Sequence, residues 1–186
     1  NEMIRLLNEK GVDTDFIPVE KGVSRINVKL RSNEESEING QGPKIEEADI
    51  KKLYKQLDGL SEGDVLVLAG SIPNVMPSSM YMDIMDYLKE KDIKIVVDAT
   101  RDLLTNVLPY HPFLIKPNNH ELGEIFGVEI SDKDDVIKYA KKLQEQGARN
   151  VLVSMAGQGA VLVAENGQVF MLPAPKGTLV NAVGAG

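Results

Sequence analysis

Two stretches of this sequence hold residue types suited to phosphoryl chemistry. In Lys116-Pro117-Asn118-Asn119-His120-Glu121 a cation, two amides and a carboxylate fall within one short run. Proline directly after the apolar Phe113-Leu114-Ile115 forces a break, and Asn118 is well placed to cap a following helix. Glu121 comes three residues later, so a reciprocal capping box is one reading of the pair. The other is that Asn118 and Glu121, one helical turn apart, present hard oxygens to a magnesium ion or its waters, while Lys116 meets nucleotide phosphates. His120 reads as a surface histidine, because the chain has two histidines and no second one stands at ligand spacing. The other stretch is Asn181-Ala182-Val183-Gly184-Ala185-Gly186, at the end of the sequence. Two glycines around an alanine let backbone N–H groups converge on an anion if the turn opens a helix, and fixed dipoles there would stabilise a transferring phosphoryl group. An ordinary tight turn is the alternative. A carboxylate following Gly186 would sit beside the anion and could take a proton from an attacking hydroxyl.

Other candidates are less specific. Ser154-Met155-Ala156-Gly157-Gln158-Gly159 follows an apolar strand and reads either as a flexible loop at a ligand edge or as a hairpin-type loop. It is not a Walker loop, and no Gly-x-Gly-x-x-Gly follows a strand, so neither a P-loop fold nor a dinucleotide site is supported. Asp98 and Asp102 are either an acid/base pair or solvated, helix-capping carboxylates. Without a serine elbow or a His-Asp partner set, a hydrolase triad has little support. The absence of cysteine excludes disulfides, thiolate metal sites and a cysteine nucleophile.

The elements that must position these residues follow from periodicity. Ile4, Leu6 and Leu7, closed by Lys10-Gly11, form the last turns of a helix, and a strand is expected over Val12–Val19. From Ser24 to Leu30 polar and apolar residues alternate, placing Ile26, Val28 and Leu30 on one face and Arg25, Asn27 and Lys29 on the other. Ser32-Asn33 turns the chain and Glu35–Ile38 returns, giving a hairpin whose cationic face could receive a phosphorylated substrate. After Pro43 helices alternate with strands. Helices are expected over Glu46–Leu57, Pro77–Lys91, Asn118–Phe126 and Asp132–Gln146, the last opened by Ser131 and closed by Gly147. Strands are expected over Asp64–Gly70, Ile93–Val97, Phe113–Ile115 and Val151–Val153, with an antiparallel pair across Asn166-Gly167. Continuous apolar strands followed by helices imply a parallel sheet covered on both faces, with ligands at the carboxyl ends of the strands. Gly70-Ser71, Asp98, Lys116-Pro117-Asn118 and Ser154 should therefore converge on one edge.

The 186 residues suit one domain with a small appendage, and 42% apolar with 26% charged residues is a globular composition. A net charge of −7 argues against a nucleic-acid partner. No apolar run approaches the ~20 residues that cross a bilayer, nothing at the start resembles a signal peptide, and a cytoplasmic location with no membrane partner is expected. The start at Asn1-Glu2-Met3 and the stop at Gly186 read as cuts in a longer chain.

Taken together, the pieces resemble the ribokinase-like (PfkB) sugar kinases, within the branch containing bacterial 1-phosphofructokinase and tagatose-6-phosphate kinase. The markers are Ser24–Lys29, Glu37–Pro43, Gly70–Pro73, Lys116–Glu121, Ser154–Gly159 and Val183–Gly186, and the resemblance runs through nearly the whole chain. It implies an α/β fold with a mostly parallel sheet, helices on both faces and a small β lid. Residues 1–22 and 41–186 would be the central part of the kinase domain, with residues 23–40 inserted as lid strands. It implies ATP and Mg2+, and transfer to a sugar-phosphate hydroxyl, foremost fructose 1-phosphate to fructose 1,6-bisphosphate. Tagatose 6-phosphate or fructose 6-phosphate as acceptor, or a non-catalytic nucleotide- or sugar-phosphate-binding module, are the rival readings. Arg25 would hold the substrate phosphate, with Asn27 and Lys29 beside it, and Gly70 and Ser71 would border the sugar. Lys116 would reach the ATP phosphates, Asn118 and Glu121 would organise magnesium, and Ser154, Met155, Ala156, Gly157, Gln158 and Gly159 would line the nucleotide. Gly184, Ala185 and Gly186 would form the anion hole, with Gly186 also at the nucleotide. The lid strands would be the place of a homodimer contact. The family's catalytic aspartate follows the Gly-Ala-Gly turn, so a polypeptide ending at Gly186 is expected to be inactive.

Overall fold

The computed structural model of the chain describes residues 2–31, 35–40, 42–73 and 76–177. These fall into two compact units, one drawn from Asn1–Gly59 with Pro73–Val75 and the other from Leu60–Ile72 with Met76–Gly186.

The first unit opens with helix α1 (Glu2–Asn8), after which Gly11 adopts φ 74°, a conformation that suits glycine at a helix end. The strand expected over Val12–Val19 is absent. This stretch runs without a ladder partner among the described residues, and Val12 and Phe16 stand exposed. A β-prone composition forms a strand when a neighbour takes its N–H and C=O groups. Strands β1 (Asn27–Arg31) and β2 (Glu35–Asn39) form the expected antiparallel hairpin, with Val28 opposite Ile38 and Asn27 opposite Asn39. Its turn at Ser32-Asn33 lies outside the described residues. The apolar side chains Ile26, Val28, Leu30 and Ile38 are all exposed. Helix α2 (Glu47–Asp58) begins at a capping box in which Asp49 Oδ2 accepts the Glu46 N–H at 3.2 Å.

The second unit is organised on a six-stranded sheet in the order β3-β4-β5-β6-β7-β8, numbered along the chain. Strands β3 (Val65–Ala69), β4 (Lys94–Asp98), β5 (Leu114–Ile115) and β6 (Asn150–Ser154) are parallel. Strands β7 (Ala160–Val163) and β8 (Val169–Leu172) continue antiparallel, through the expected turn in which Asn166 Oδ1 accepts the Gln168 N–H. Helices α3 (Met80–Leu88), α4 (Asp102–Thr105), α5 (Asn119–Phe126) and α6 (Lys133–Glu145) connect the parallel strands. The helix over 133–145 is opened by Asp132 rather than Ser131, because Asp132 Oδ1 accepts the Asp135 N–H at 2.8 Å.

The core lies where β4, β5 and β6 meet the helices. Val97, Ile115, Leu122, Val136, Leu143 and Val153 are completely buried. Each such side chain contributes up to about 1.5–3 kcal/mol of transfer free energy, an upper bound because unfolded chains are themselves partly collapsed. Coverage on both faces does not extend to the edge: Val65 and Val67 of β3 are 55% and 57% exposed. Strand β3 pairs only with β4 among the described residues, so it alternates like an edge strand instead of being buried throughout.

Candidate functional site

The carboxyl ends of the parallel strands gather the groups that the strand-end rule selects. Gly70 follows β3 with φ 87°, and its N–H donates to the Asp98 carbonyl at the end of β4 at 3.1 Å. The Lys116 N–H donates to the Val97 carbonyl at 3.1 Å, which draws the end of β5 beside β4. On the other side, the Ser154 N–H donates to the Pro117 carbonyl at 3.1 Å, and Asn118 and Ser154 form a parallel bridge. Since Ile115 lies opposite Val151, the register carries on through Pro117 and makes Asn118 and Ser154 immediate neighbours. Gly70, Asp98, Lys116, Asn118 and Ser154 are thus brought together along one sheet edge, and Ser71 follows Gly70 at that edge, exposed.

Two partners at this edge were not foreseen from the sequence. Lys116 Nζ lies 3.2 Å from Asp98 Oδ1, with the lysine side chain more buried than the aspartate. The buried Tyr81 of α3 donates its hydroxyl to the Gly70 carbonyl at 3.1 Å. Burial, and secondarily the Asp98 carboxylate, push the Tyr81 hydroxyl above the ordinary tyrosine range. The signal for the first was available, since Asp98 and Lys116 close adjacent parallel strands. Tyr81 is set by the helix facing the sheet, which no local pattern announced. Asp98 acts here as a lysine partner, while Asp102 lies in the first turn of α4.

The capping box at α5 is present in full. Asn118 Oδ1 accepts the Glu121 N–H at 2.8 Å, and Glu121 Oε2 accepts the Asn118 N–H at 2.8 Å. One oxygen of each side chain is thereby committed, and Glu121 retains Oε1. Among the described residues no cluster of three or more His, Cys, Asp or Glu could hold a metal by itself. The donor set fits a magnesium ion that keeps several waters and takes its remaining ligands from substrate phosphates.

The loop after β6 is tightly folded. The Met155 N–H donates to the Gly159 carbonyl at 2.8 Å around a 3-10 turn over Ala156–Gln158. Met155 is buried, whereas Ala156, Gly157 and Gln158 are exposed. Gly159 has φ 94°, and a Cβ there would be driven into the Leu172 carbonyl oxygen. Met155–Gln158 form one wall of a cleft of about 770 Å3, and α5 supplies another through Asn119 and Gly123, with Gly127 at its C-terminal cap. A cleft of this volume is within the range of small-molecule sites.

Arg25, Asn27 and Lys29 belong to the first unit, Arg25 exposed just before β1 and Asn27 paired with Asn39. Gly184, Ala185 and Gly186, and the side chain of Lys29, lie outside the described residues.

The family profile of pfkB carbohydrate kinases matches residues 1–186. The chain belongs to the pfkB family of carbohydrate kinases. It is 48% identical over 180 residues to a 1-phosphofructokinase of Bacillus subtilis (strain 168), covering 97% of this chain and 59% of that relative. A D-tagatose-1-phosphate kinase of Bacillus licheniformis is 37% identical over 182 residues, with 97% and 59% covered. Among solved structures, phosphofructokinase-2 from Escherichia coli in complex with substrates and products superposes with TM-score 0.87 at 25% identity, covering 100% of this chain and 61% of that one. The pfkB chain therefore spans about three fifths of the length of the relatives it matches. Among the described residues no helix is long and apolar enough to cross a membrane.

Proposed function

We propose that this chain is the central part of an ATP-dependent sugar-phosphate kinase that converts fructose 1-phosphate to fructose 1,6-bisphosphate in the cytoplasm. The observation that carries the reading is the single edge holding Gly70, Lys116, the Asn118–Glu121 pair and Ser154, in a chain of the pfkB family. Its similarity to a 1-phosphofructokinase at 48% identity supports fructose 1-phosphate as the acceptor.

In this reading the bond from the γ-phosphorus to its bridging oxygen breaks, and a bond forms to the acceptor hydroxyl oxygen, whose proton passes to a carboxylate. Lys116 gives up Asp98 to meet the ATP phosphates. A point charge at 3.2 Å from a half-exposed carboxylate is an exchangeable pair, and a polyphosphate is the stronger competitor. Ser154–Gly159 line the nucleotide. Asn118 and Glu121 hold magnesium, which when bound spreads the charge of the phosphates. Gly70 and Ser71 border the sugar, and Arg25, Asn27 and Lys29 receive its phosphate by charge-assisted hydrogen bonds. Gly184, Ala185 and Gly186 form the anion hole, which stabilises charge through fixed N–H groups. The exposed apolar face of the hairpin, Ile26, Val28, Leu30 and Ile38, supports a homodimer through the lid strands.

ADP release by the complete polypeptide, measured against fructose 1-phosphate, fructose 6-phosphate, tagatose 1-phosphate and tagatose 6-phosphate, tests this. The largest kcat/KM is expected with fructose 1-phosphate, and tagatose 1-phosphate is included because a relative at 37% identity is named for it. Nucleotide binding with no ADP release on any of the four would replace the kinase by a sensing module.

A further inference from the structure

Arg101 holds a backbone conformation that its side chain does not explain. It sits three residues beyond Asp98, in the connection leaving β4, with φ 51° and ψ −130°. Such torsions belong to glycine, and a side chain there costs at least about fivefold in an equilibrium constant. The carbonyl of Arg101 accepts the Leu104 and Thr105 N–H groups at 3.0 and 3.1 Å, a service any residue's backbone would perform. Its side chain is mostly in solvent, at 76% exposed, so burial does not explain it. Its side-chain partner is Glu124 of α5, reached from Nε to Oε2 at 3.2 Å. An exposed ion pair of this kind is worth at most about fivefold, so it does not offset the strain.

The placement supplies a reason. Three residues span no more than about 11 Å, so Arg101 stays close to the Asp98–Lys116 pair. Glu124 lies one turn beyond Glu121 and borders the 770 Å3 cleft. Among the described residues Nε is the engaged donor, which leaves the terminal nitrogens of the planar fork available for bidentate contact with an oxyanion.

We propose that Arg101 is an anion-contacting residue of this edge, which exchanges Glu124 for a phosphate of the bound ligand. The proposal rests on the reading of the edge as a phosphoryl-transfer site. The phosphate belongs either to the nucleotide or to the sugar, and the test separates them.

Dissociation constants of AMP-PNP and of fructose 1-phosphate, each alone, are measured by calorimetry on the complete polypeptide and on Arg101→Gly, Arg101→Lys, Glu124→Gln and Lys116→Ala. Arg101→Gly is expected to raise the melting midpoint, by relieving the backbone, while weakening one of the two probes about tenfold or more. Glu124→Gln is expected to tighten that same probe, because the resident competitor is gone. Arg101→Lys, which keeps the charge and the backbone but loses the fork, should fall between and stands in if the glycine variant is unstable. A tether between loop and helix predicts the opposite pattern, with Arg101→Gly and Glu124→Gln weakening binding alike, and that result overturns the proposal. If Lys116→Ala weakens AMP-PNP while every Arg101 variant binds both probes like the parent, the proposal falls and the kinase reading stands. If the parent binds neither probe, both fall together.

Discussion

Replacing Asn118 by alanine and by aspartate separates the helix cap that this residue forms from the magnesium role proposed for it. The change to alanine removes Oδ1, the acceptor of the Glu121 N–H at 2.8 Å, and leaves that partly buried donor without a partner. Loss of an N-cap acceptor costs about 1 kcal/mol, within a range of about 0.5–2. The orphaned donor places Asn118→Ala in the upper half, at about 1–2 kcal/mol. In a chain of this size each kcal/mol moves the midpoint by about 2–4 °C, so a fall of about 2–8 °C is expected. Asn118→Asp keeps an acceptor and is nearly as good a cap, so its midpoint should stay within about 1 °C. In the proposed function its added negative charge would stand beside the nucleotide phosphates and should weaken AMP-PNP binding at constant magnesium. Thermal melts followed by circular dichroism, with exchange of the Leu122 amide that bonds to the Asn118 carbonyl at 2.9 Å, provide the readout. Two results would refute the reasoning: an unchanged midpoint for Asn118→Ala, or an equal fall for Asn118→Asp.

Gly159→Ala combines a φ of 94° with a Cβ forced into the Leu172 carbonyl oxygen, and should cost at least about 2 kcal/mol in urea unfolding, with the β7–β8 hairpin displaced. An unchanged denaturation midpoint would contradict this. Tyr81→Phe should delete a tyrosine that titrates above the ordinary tyrosine range in an ultraviolet titration, because burial, then the Asp98 charge, raise its hydroxyl. The folded state holds the Tyr81 proton more tightly than the unfolded one. The stability this lends is full below the unfolded tyrosine pKa of about 10 and is lost as pH rises through the folded value, so parent and Tyr81→Phe should converge only in strong alkali.

Residues with strong local rules were read correctly from the sequence. Asn118 and Glu121 declared a helix start, Asn166-Gly167 a hairpin, and the apolar runs before Gly70, Asp98, Lys116 and Ser154 a parallel sheet whose strand ends meet along one edge. What escaped depended on neighbours. Val12–Val19 has the composition of a strand, but a ladder needs a partner in space. Val65 and Val67 were expected to be buried because apolar runs do not say which strand lies at the edge of its sheet. At the site, the lysine of Lys116–Glu121 was found, but its resident counter-ion on the adjacent strand was not. The strain at Arg101 was invisible in principle, since nothing in the sequence Ala99-Thr100-Arg101-Asp102 announces a glycine conformation.

The hairpin formed by β1 and β2 has a further consequence. Among the described residues, Leu57 is the one buried apolar side chain contributed by the first unit, while Ile26, Val28, Leu30 and Ile38 meet solvent. A two-stranded ribbon is marginal by its own hydrogen bonds, so its order depends on whatever covers that face. If the cover is a second copy, the fraction of ordered hairpin becomes a function of protein concentration and obeys mass action. In the proposed function, where Arg25 and Asn27 hold the sugar phosphate, dilution would then weaken substrate capture and couple the amount of protein present to its affinity.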